Sequence, residues 1–194
     1  VSGLILLVWS LARLNGALLA PFIRPGQNVV QAVSEHRRRG RGPRIVAIGG
    51  GTGLSALLRG LKHYTSNITA VVTVADDGGS SGRLRATLGV LPPGDFRNCI
   101  AALADDESLV TQLFQYRFAG SQDVGGHPLG NLFITAMAEV TGSFESALAE
   151  SSKVLNIRGQ VLPSTLRNVT LVGEVAGEAG TAVVEGESRI GHST

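Results

Sequence analysis

A single cysteine, Cys99, stands among 194 residues. That excludes an internal disulfide framework and any metal site built on several thiolates, and it suits a reducing compartment. Aromatic residues make up only 5% of the chain, too few for a platform that stacks single-stranded nucleic acid. Charge is also sparse, 16% against 43% hydrophobic, and this excludes wholesale disorder. The net charge is +2, and much of the basic excess sits at Arg37, Arg38, Arg39, Arg41 and Arg44. So local an excess gives no expectation of a nucleic-acid partner. An initiator Met is missing, and Arg189 to Thr194 follow a strand-like run with no closing helix. The chain therefore reads as a piece of a longer protein. What it has in quantity is glycine, 26 residues, the mark of a loop-rich α/β protein.

Residues 1–26 form an apolar N-terminal segment. Its stretch from Gly3 to Ile23 approaches the length of a membrane span. Arg13 and Asn15 lie near its middle, and an Arg at a helix centre costs about 2.5–3.5 kcal/mol on insertion scales. A truncated anchor and a buried or surface amphipathic helix both stay open. If the segment spans, the arginines at 37–41 mark the cytoplasmic side. A secretory signal fits poorly, because no clear cleavage site follows. Residues 27–43 read as a basic linker and 44–194 as an incomplete nucleotide-binding domain.

That domain is organised around Gly49-Gly50-Gly51-Thr52-Gly53. The apolar run Ile45–Ile48 before it predicts a strand. After it, Leu54, Leu57, Leu58 and Leu61 recur at i, i+3, i+4 and i+7 and predict one buried helix face. A turn made almost wholly of glycine lets backbone approach a ligand, and free N–H groups at the following helix end suit a phosphate. Gly51 to Ala56 fits the G-x-G-x-x-G/A dinucleotide pattern, while the absence of Gly-Lys-Ser/Thr excludes a Walker loop. A tight turn with no ligand is the bland alternative. Ile68 to Val74 predicts a second, buried parallel strand. Strand, helix, strand at this spacing is a right-handed βαβ unit, whose ligands bind beyond the carboxyl ends of the strands.

The second strand runs into Asp76-Asp77-Gly78-Gly79-Ser80-Ser81-Gly82-Arg83, a second glycine loop expected beside the first. Asp-Gly is a common turn pair. In a binding role, one carboxylate takes a ribose or holds Mg²⁺ against phosphate oxygens, with Arg83 as a phosphate clamp. Pro92-Pro93-Gly94 forces a turn, and Asp95 is placed to cap a helix running to about Ala104. Arg97 is then an exposed helical residue. Asn98 is either a helix amide or a reader of a base or sugar edge. A helix restarts at Asp105–Ser108 and runs through Leu109 to Tyr116, and a glycine-rich loop spans Gly120 to Gly126.

His127 reads as an N-cap or a catalytic base without an evident partner, and Pro128 takes the first helical position. Asn131 lies one turn on. Leu129, Leu132, Phe133, Ala136 and Met137 form the expected buried stripe. Ser143 caps the next helix, whose Phe144, Ala147, Leu148, Val154 and Leu155 face the core. Gln160–Leu162, Val169–Val175 and Thr181–Glu185 read as strands. Cys99 is expected in the core.

Several of these stretches, in order, carry a specific resemblance. They are Ile48–Ser55, Thr73–Arg85, Leu91–Asn98, Leu113–Phe118, Gly130–Leu132 and Val161–Thr165. Together they resemble the gluconeogenesis-factor (YvcK) family, which is related to the phospholactate transferases (CofD), and the likeness spans about Arg44 to Ile190. The resemblance implies an α/β fold, a Rossmann-like and mostly parallel sheet with helices on both faces and a missing C-terminal part. It implies a bound UDP-sugar, UDP-N-acetylglucosamine first, and a regulatory role in carbon metabolism, cell shape or wall synthesis. No catalytic residue or certain cofactor is assigned; Mg²⁺ is open. The ligand-binding candidates are Gly49, Gly50, Gly51, Thr52, Gly53, Thr73, Asp76, Asp77, Gly78, Gly79, Ser80, Ser81, Arg83, Asp95, Arg97, Asn98, His127 and Asn131. A Mg²⁺-dependent transferase is the second reading and an NAD-dependent oxidoreductase the third. The expected partner is a nucleotide-sugar in the cytoplasm. A homo-oligomer and membrane attachment through the N-terminal segment are left open.

Overall fold

The computed structural model describes residues 2–19, 29–104, 109–120, 124–177 and 180–191. Two helices lead the chain, α1 (Ser2–Leu19) and α2 (Val29–Gly40). Leu4, Ile5, Leu6, Leu7, Trp9, Leu11 and Leu14 of α1 are exposed, and the Arg13 guanidinium lies 5.0 Å from the Trp9 ring centroid. Among the described residues no helix is long and apolar enough to cross a membrane. The end of the apolar stretch, Ala20 to Ile23, lies outside the described residues.

Within the basic segment expected over 27–43, residues Val29–Gly40 form helix α2. Arg37, Arg38 and Arg39 fall in its last turn, where cations suit the negative end of the dipole. Glu35 and Arg39 pair at 3.4 Å one turn apart. The Ser66 amide donates to Arg39 O at 3.1 Å, and Asn67 Nδ2 donates to the Gly40 and Gly42 carbonyls. These bonds tie the basic segment to the loop before the second strand.

Strands β1 (Ile45–Gly49) and β2 (Ile68–Val72) pair in parallel across helix α3 (Gly51–Leu61), the expected βαβ unit. Helices α4 (Gly79–Leu88), α5 (Gly94–Leu103), α6 (Leu109–Gln115), α7 (Leu129–Thr141) and α8 (Phe144–Val154) follow. Only then does β3 (Gln160–Pro163) add to β2 in parallel, giving the order β1-β2-β3. An antiparallel hairpin, β4 (Val172–Gly177) with β5 (Gly180–Glu185), and the single turn α9 (Glu187–Ile190) complete the described chain. The proposed helix restart at Asp105–Ser108 and part of the Gly120–Gly126 loop, residues 121–123, fall outside the described residues.

Alternation along the strands sorts the sheet into two faces. Ala47, Ala70, Val72 and Val161 are buried in one core with Leu54, Leu58, Phe96, Cys99, Ile100, Ile134 and Leu148. Phe96 meets Phe144 edge-on at 5.0 Å. On the other face Val46, Ile48 and Leu162 are exposed. Helical stripes shift slightly from the sequence pattern. Leu57 and Val154 are exposed rather than buried, because α3 and α8 turn narrower faces to the core. In α7 the buried positions are Gly130, Asn131, Ile134 and Thr135; Ala136 is exposed. That rotation brings a polar residue, Asn131, inward.

Candidate functional site

The helices α3, α4, α5 and α7 start close together beyond the carboxyl end of β1 and β2. Helix α3 begins within the glycine run itself, with Gly50 as N-cap and Gly51 as its first residue. A Cβ on Gly50 would collide with Thr73 Oγ1 and stand 2.8 Å from Asp95 Oδ2, so only glycine allows the approach. The Gly51 amide donates to Asp95 Oδ2 at 2.6 Å. Asp95 therefore does not cap its own helix as the sequence suggested. Pro93 is the N-cap of α5, and the Asp95 carboxylate crosses over to the N-terminus of α3. Burial, with Asp76 nearby as a weaker contributor, pushes the Asp95 carboxyl above its ordinary value despite the Gly51 bond.

The second glycine stretch is also half helix. Gly78 is the N-cap of α4, so Gly79, Ser80, Ser81 and Arg83 are helical rather than loop residues. The Gly78 amide donates to Asp76 Oδ1 at 2.9 Å. Ser81 Oγ accepts from the Gly94 amide at 3.1 Å, which joins α4 to α5. Asp77 turns the other way: its Oδ1 accepts from the Ser188 amide at 2.9 Å. That bond holds its carboxyl below the ordinary value. No local pattern marks Ser188 or its neighbour Glu187, for their only signature is position after a glycine. Burial first, then Asp76, Asp95 and Asp77, raises the Glu187 carboxyl, so the short helix α9 faces the acidic side of the site.

The third cluster joins α4 to α7. His127 is buried, its Nδ1 2.7 Å from Ser80 Oγ, and Arg83 Nε donates to its Nε2 at 3.3 Å. Asn131 Nδ2 donates to the same Ser80 Oγ at 2.9 Å, while Asn131 Oδ1 is buried without a partner among the described residues. Burial, then Arg83 and Arg117, lowers the His127 pKa from its ordinary 6.5 and keeps the ring neutral. His127 caps nothing; Pro128 is the N-cap of α7. Arg83 spends its guanidinium on His127 and the Gly125 carbonyl. An open cleft of about 320 Å³ lies over Arg83, Gly125, His127 and Leu132.

Arg97, expected on the surface in the bland reading, is buried; its Nη2 donates to Asn98 Oδ1 at 2.8 Å and its Nε has no partner among the described residues. Desolvation lowers its pKa to about 10, still charged at neutral pH. Asn98 is thus occupied by its neighbour. Thr52 and Gly53 are exposed on the first turn of α3, and Gly49 ends β1. Cys99 is fully buried, with its thiol pushed up to about 12 by desolvation. The arrangement gathers helix N-termini, whose free amides favour an anion, with a buried guanidinium behind them. Among the described residues no three His, Cys, Asp or Glu side chains are grouped to hold a metal.

Comparison with known proteins places the chain in a family. The family model described as 2-phospho-L-lactate transferase CofD matches residues 45–194. The gluconeogenesis factor of Bacillus subtilis is 58% identical over 151 residues, covering 78% of this chain and 47% of that protein. A gluconeogenesis-factor relative from Nostoc sp. is 58% identical over 192 residues, 98% of this chain and 41% of its own length. A crystal structure of a Bacillus halodurans protein superposes with a TM-score of 0.71 at 53% identity, covering 77% of this chain and 47% of the other. The chain thus spans less than half the length of these relatives. On the family match and these identities, the chain belongs to the gluconeogenesis-factor family and carries a CofD-like domain.

Proposed function

We propose that the protein is a regulatory binder of a UDP-sugar, UDP-N-acetylglucosamine first, acting in carbon metabolism and in control of cell shape or wall synthesis at the cytoplasmic side. The observation that carries this reading is the convergence of four helix N-termini, tied by the Gly51–Asp95, Gly94–Ser81 and Asn131–Ser80 bonds, beyond the strand ends. Such an assembly offers several amide donors to a diphosphate. At these helix starts Thr52, Gly53 and Gly79 are exposed residues. Gly-rich turns admit the phosphate backbone-close, and the polar α4–α7 cluster lies beside them for the sugar.

A divalent cation fits this reading without a protein cage. Mg²⁺ carried on a diphosphate takes one or two carboxylates and keeps its waters. Asp76, whose described bond engages only Oδ1, is the carboxylate for that place.

The test uses the full-length protein in a thermal-shift and calorimetric panel of UDP-N-acetylglucosamine, UDP-glucose, NAD and GTP, each with and without Mg²⁺. A ligand at a hundred times its Kd should stabilise by about 2.7 kcal/mol. Binding of UDP-N-acetylglucosamine supports the reading; no response to either UDP-sugar sinks it. Turnover of a nucleotide-linked phospholactate donor would favour the transferase instead.

A further inference from the structure

The Ser80–His127–Asn131 cluster has an electronic asymmetry fixed by Arg83. An arginine Nε always carries a proton and can only donate. Its contact with His127 Nε2 at 3.3 Å therefore places the lone pair of a neutral ring on Nε2 and the proton on Nδ1. His127 Nδ1–H then donates to Ser80 Oγ across 2.7 Å. Asn131 Nδ2 donates to the same oxygen across 2.9 Å. Two donors fill both lone pairs of the hydroxyl, and its own proton remains to be given.

Asn131 Oδ1 presents the opposite deficit. The residue is 2% exposed and this oxygen accepts from nothing among the described residues. A buried acceptor without a donor destabilises the fold unless something supplies one. A spare donor and a spare acceptor therefore lie on either side of one 2.9 Å hydrogen bond, at the first turns of α4 and α7.

We infer that Ser80 and Asn131 form a neutral-group subsite that reads a hydroxyl or a secondary amide of the ligand, with Ser80 giving a hydrogen bond and Asn131 Oδ1 receiving one. This rests on the nucleotide-sugar reading above and deepens it: the cluster takes the sugar, and the glycine turns take the diphosphate. Phosphate is the wrong chemistry here. An ionised phosphoryl group offers only acceptors, so it would satisfy Ser80 and set its own lone pairs against Asn131 Oδ1. A sugar hydroxyl or an acetamido group can accept and donate together. The same tautomer also removes Ser80 from the list of nucleophiles, since His127 has no free lone pair towards Oγ to take its proton.

The experiment measures the affinity of the full-length protein for UDP and for UDP-N-acetylglucosamine by calorimetry, in wild type, Ser80→Ala and Ser80→Thr. Loss of one hydrogen bond that orphans its buried partner should weaken the UDP-sugar about tenfold in Ser80→Ala. UDP binding should stay within about twofold, because no diphosphate contact is lost. Ser80→Thr, which keeps the hydroxyl, should restore the preference for the sugar. Thermal melts confirm that each variant is folded, and where Ser80→Ala is not, Asn131→Asp replaces it. That variant sets a carboxylate oxygen against Ser80 Oγ, which takes the hydroxyl proton otherwise given to the ligand, so the preference for the sugar over UDP should again fall. Equal weakening of UDP and UDP-sugar would mean the cluster holds phosphate, and unchanged binding would mean it holds only structure; either overturns the inference while leaving the nucleotide-sugar reading intact. Failure of wild type to bind either compound overturns both.

Discussion

The carboxylate of Asp95 sits 2.6 Å from the Gly51 amide, at the N-terminus of a helix that begins 44 residues earlier in the chain. It stands where an anionic ligand of α3 would stand. The protein's own carboxylate therefore neutralises the leading amide of the glycine turn, and a diphosphate must use the neighbouring amides or displace it. Asp95→Asn keeps an acceptor for Gly51 and removes the negative charge. UDP affinity should rise severalfold, roughly the effect of relieving one close like charge near a protein surface, read by calorimetry at low and moderate salt. Weaker binding would mean that Asp95 contacts the ligand directly or holds its metal.

The same substitution has a pH signature. Burial raises the folded-state pKa of Asp95 above its ordinary 3.8. A group shifted in this direction contributes its stability in full below pH 3.8 and loses it as pH rises through the folded value. The wild type should thus fall behind Asp95→Asn as pH climbs from about 4 towards neutrality. Denaturant melts of both proteins at pH 4 and pH 7 check this; a gap that narrows with rising pH contradicts it.

Asp77 shows the opposite sign. Its bond from the Ser188 amide lowers its pKa below 3.8, so its contribution is present above that value and fades as pH falls further. Replacing Asp77 with Ala removes the acceptor that secures the start of α9, a cap-like loss of about 1 kcal/mol or less at this exposed site. Hydrogen exchange at Ser188 should accelerate while exchange in β2 stays slow.

Gly50→Ala should be severe for its size. The new methyl would collide with the Thr73 hydroxyl and crowd the Asp95 carboxylate. Forcing that contact open costs about 1–3 kcal/mol and separates Gly51 from Asp95. A melt together with UDP binding tests it, and a variant with wild-type values in both would show that the approach is loose.

Phe96 and Cys99 test the core beneath. Phe96→Ala removes a fully buried ring with an edge-on partner in Phe144, at a cost of about 3–5 kcal/mol. Cys99, with a thiol near 12, should resist a thiol reagent at pH 8 and react at once in denaturant. Fast labelling of the native chain would place Cys99 at the surface.

Much of this fold follows from local pattern. Ile45–Ile48, the glycines and Ile68–Val72 announced a βαβ unit because strand and helix periodicities are written in neighbouring residues. Ser143 was legible as a cap for the same reason, and its Oγ accepts from the Ser146 amide. Asp95 misled because a carboxylate at a helix start caps that helix in the ordinary case. Here the receiving amide belongs to Gly51, and no local rule reaches across 44 residues. Arg97 misled likewise: a charged residue reads as solvated until tertiary packing encloses it. His127 and Asn131 were recognised as a pair of interest, but their shared partner Ser80 became visible only when α4 and α7 met. The run of arginines marks 27–43 as a basic linker, and that 29–40 is helical within it shows only in the structure.

The position of β3 in the sheet sets how this chain must fold. Its partner β2 ends at Val72, and α4 to α8 intervene before Gln160. A ribosome adding on the order of 5–20 residues per second therefore holds β1, α3 and β2 for several seconds with one strand edge unfilled. Pairings this distant in sequence slow folding and leave edges open to the wrong neighbour. Helices α4, α5 and α7 of the candidate site are made during this interval, before β3 is there to pair with β2.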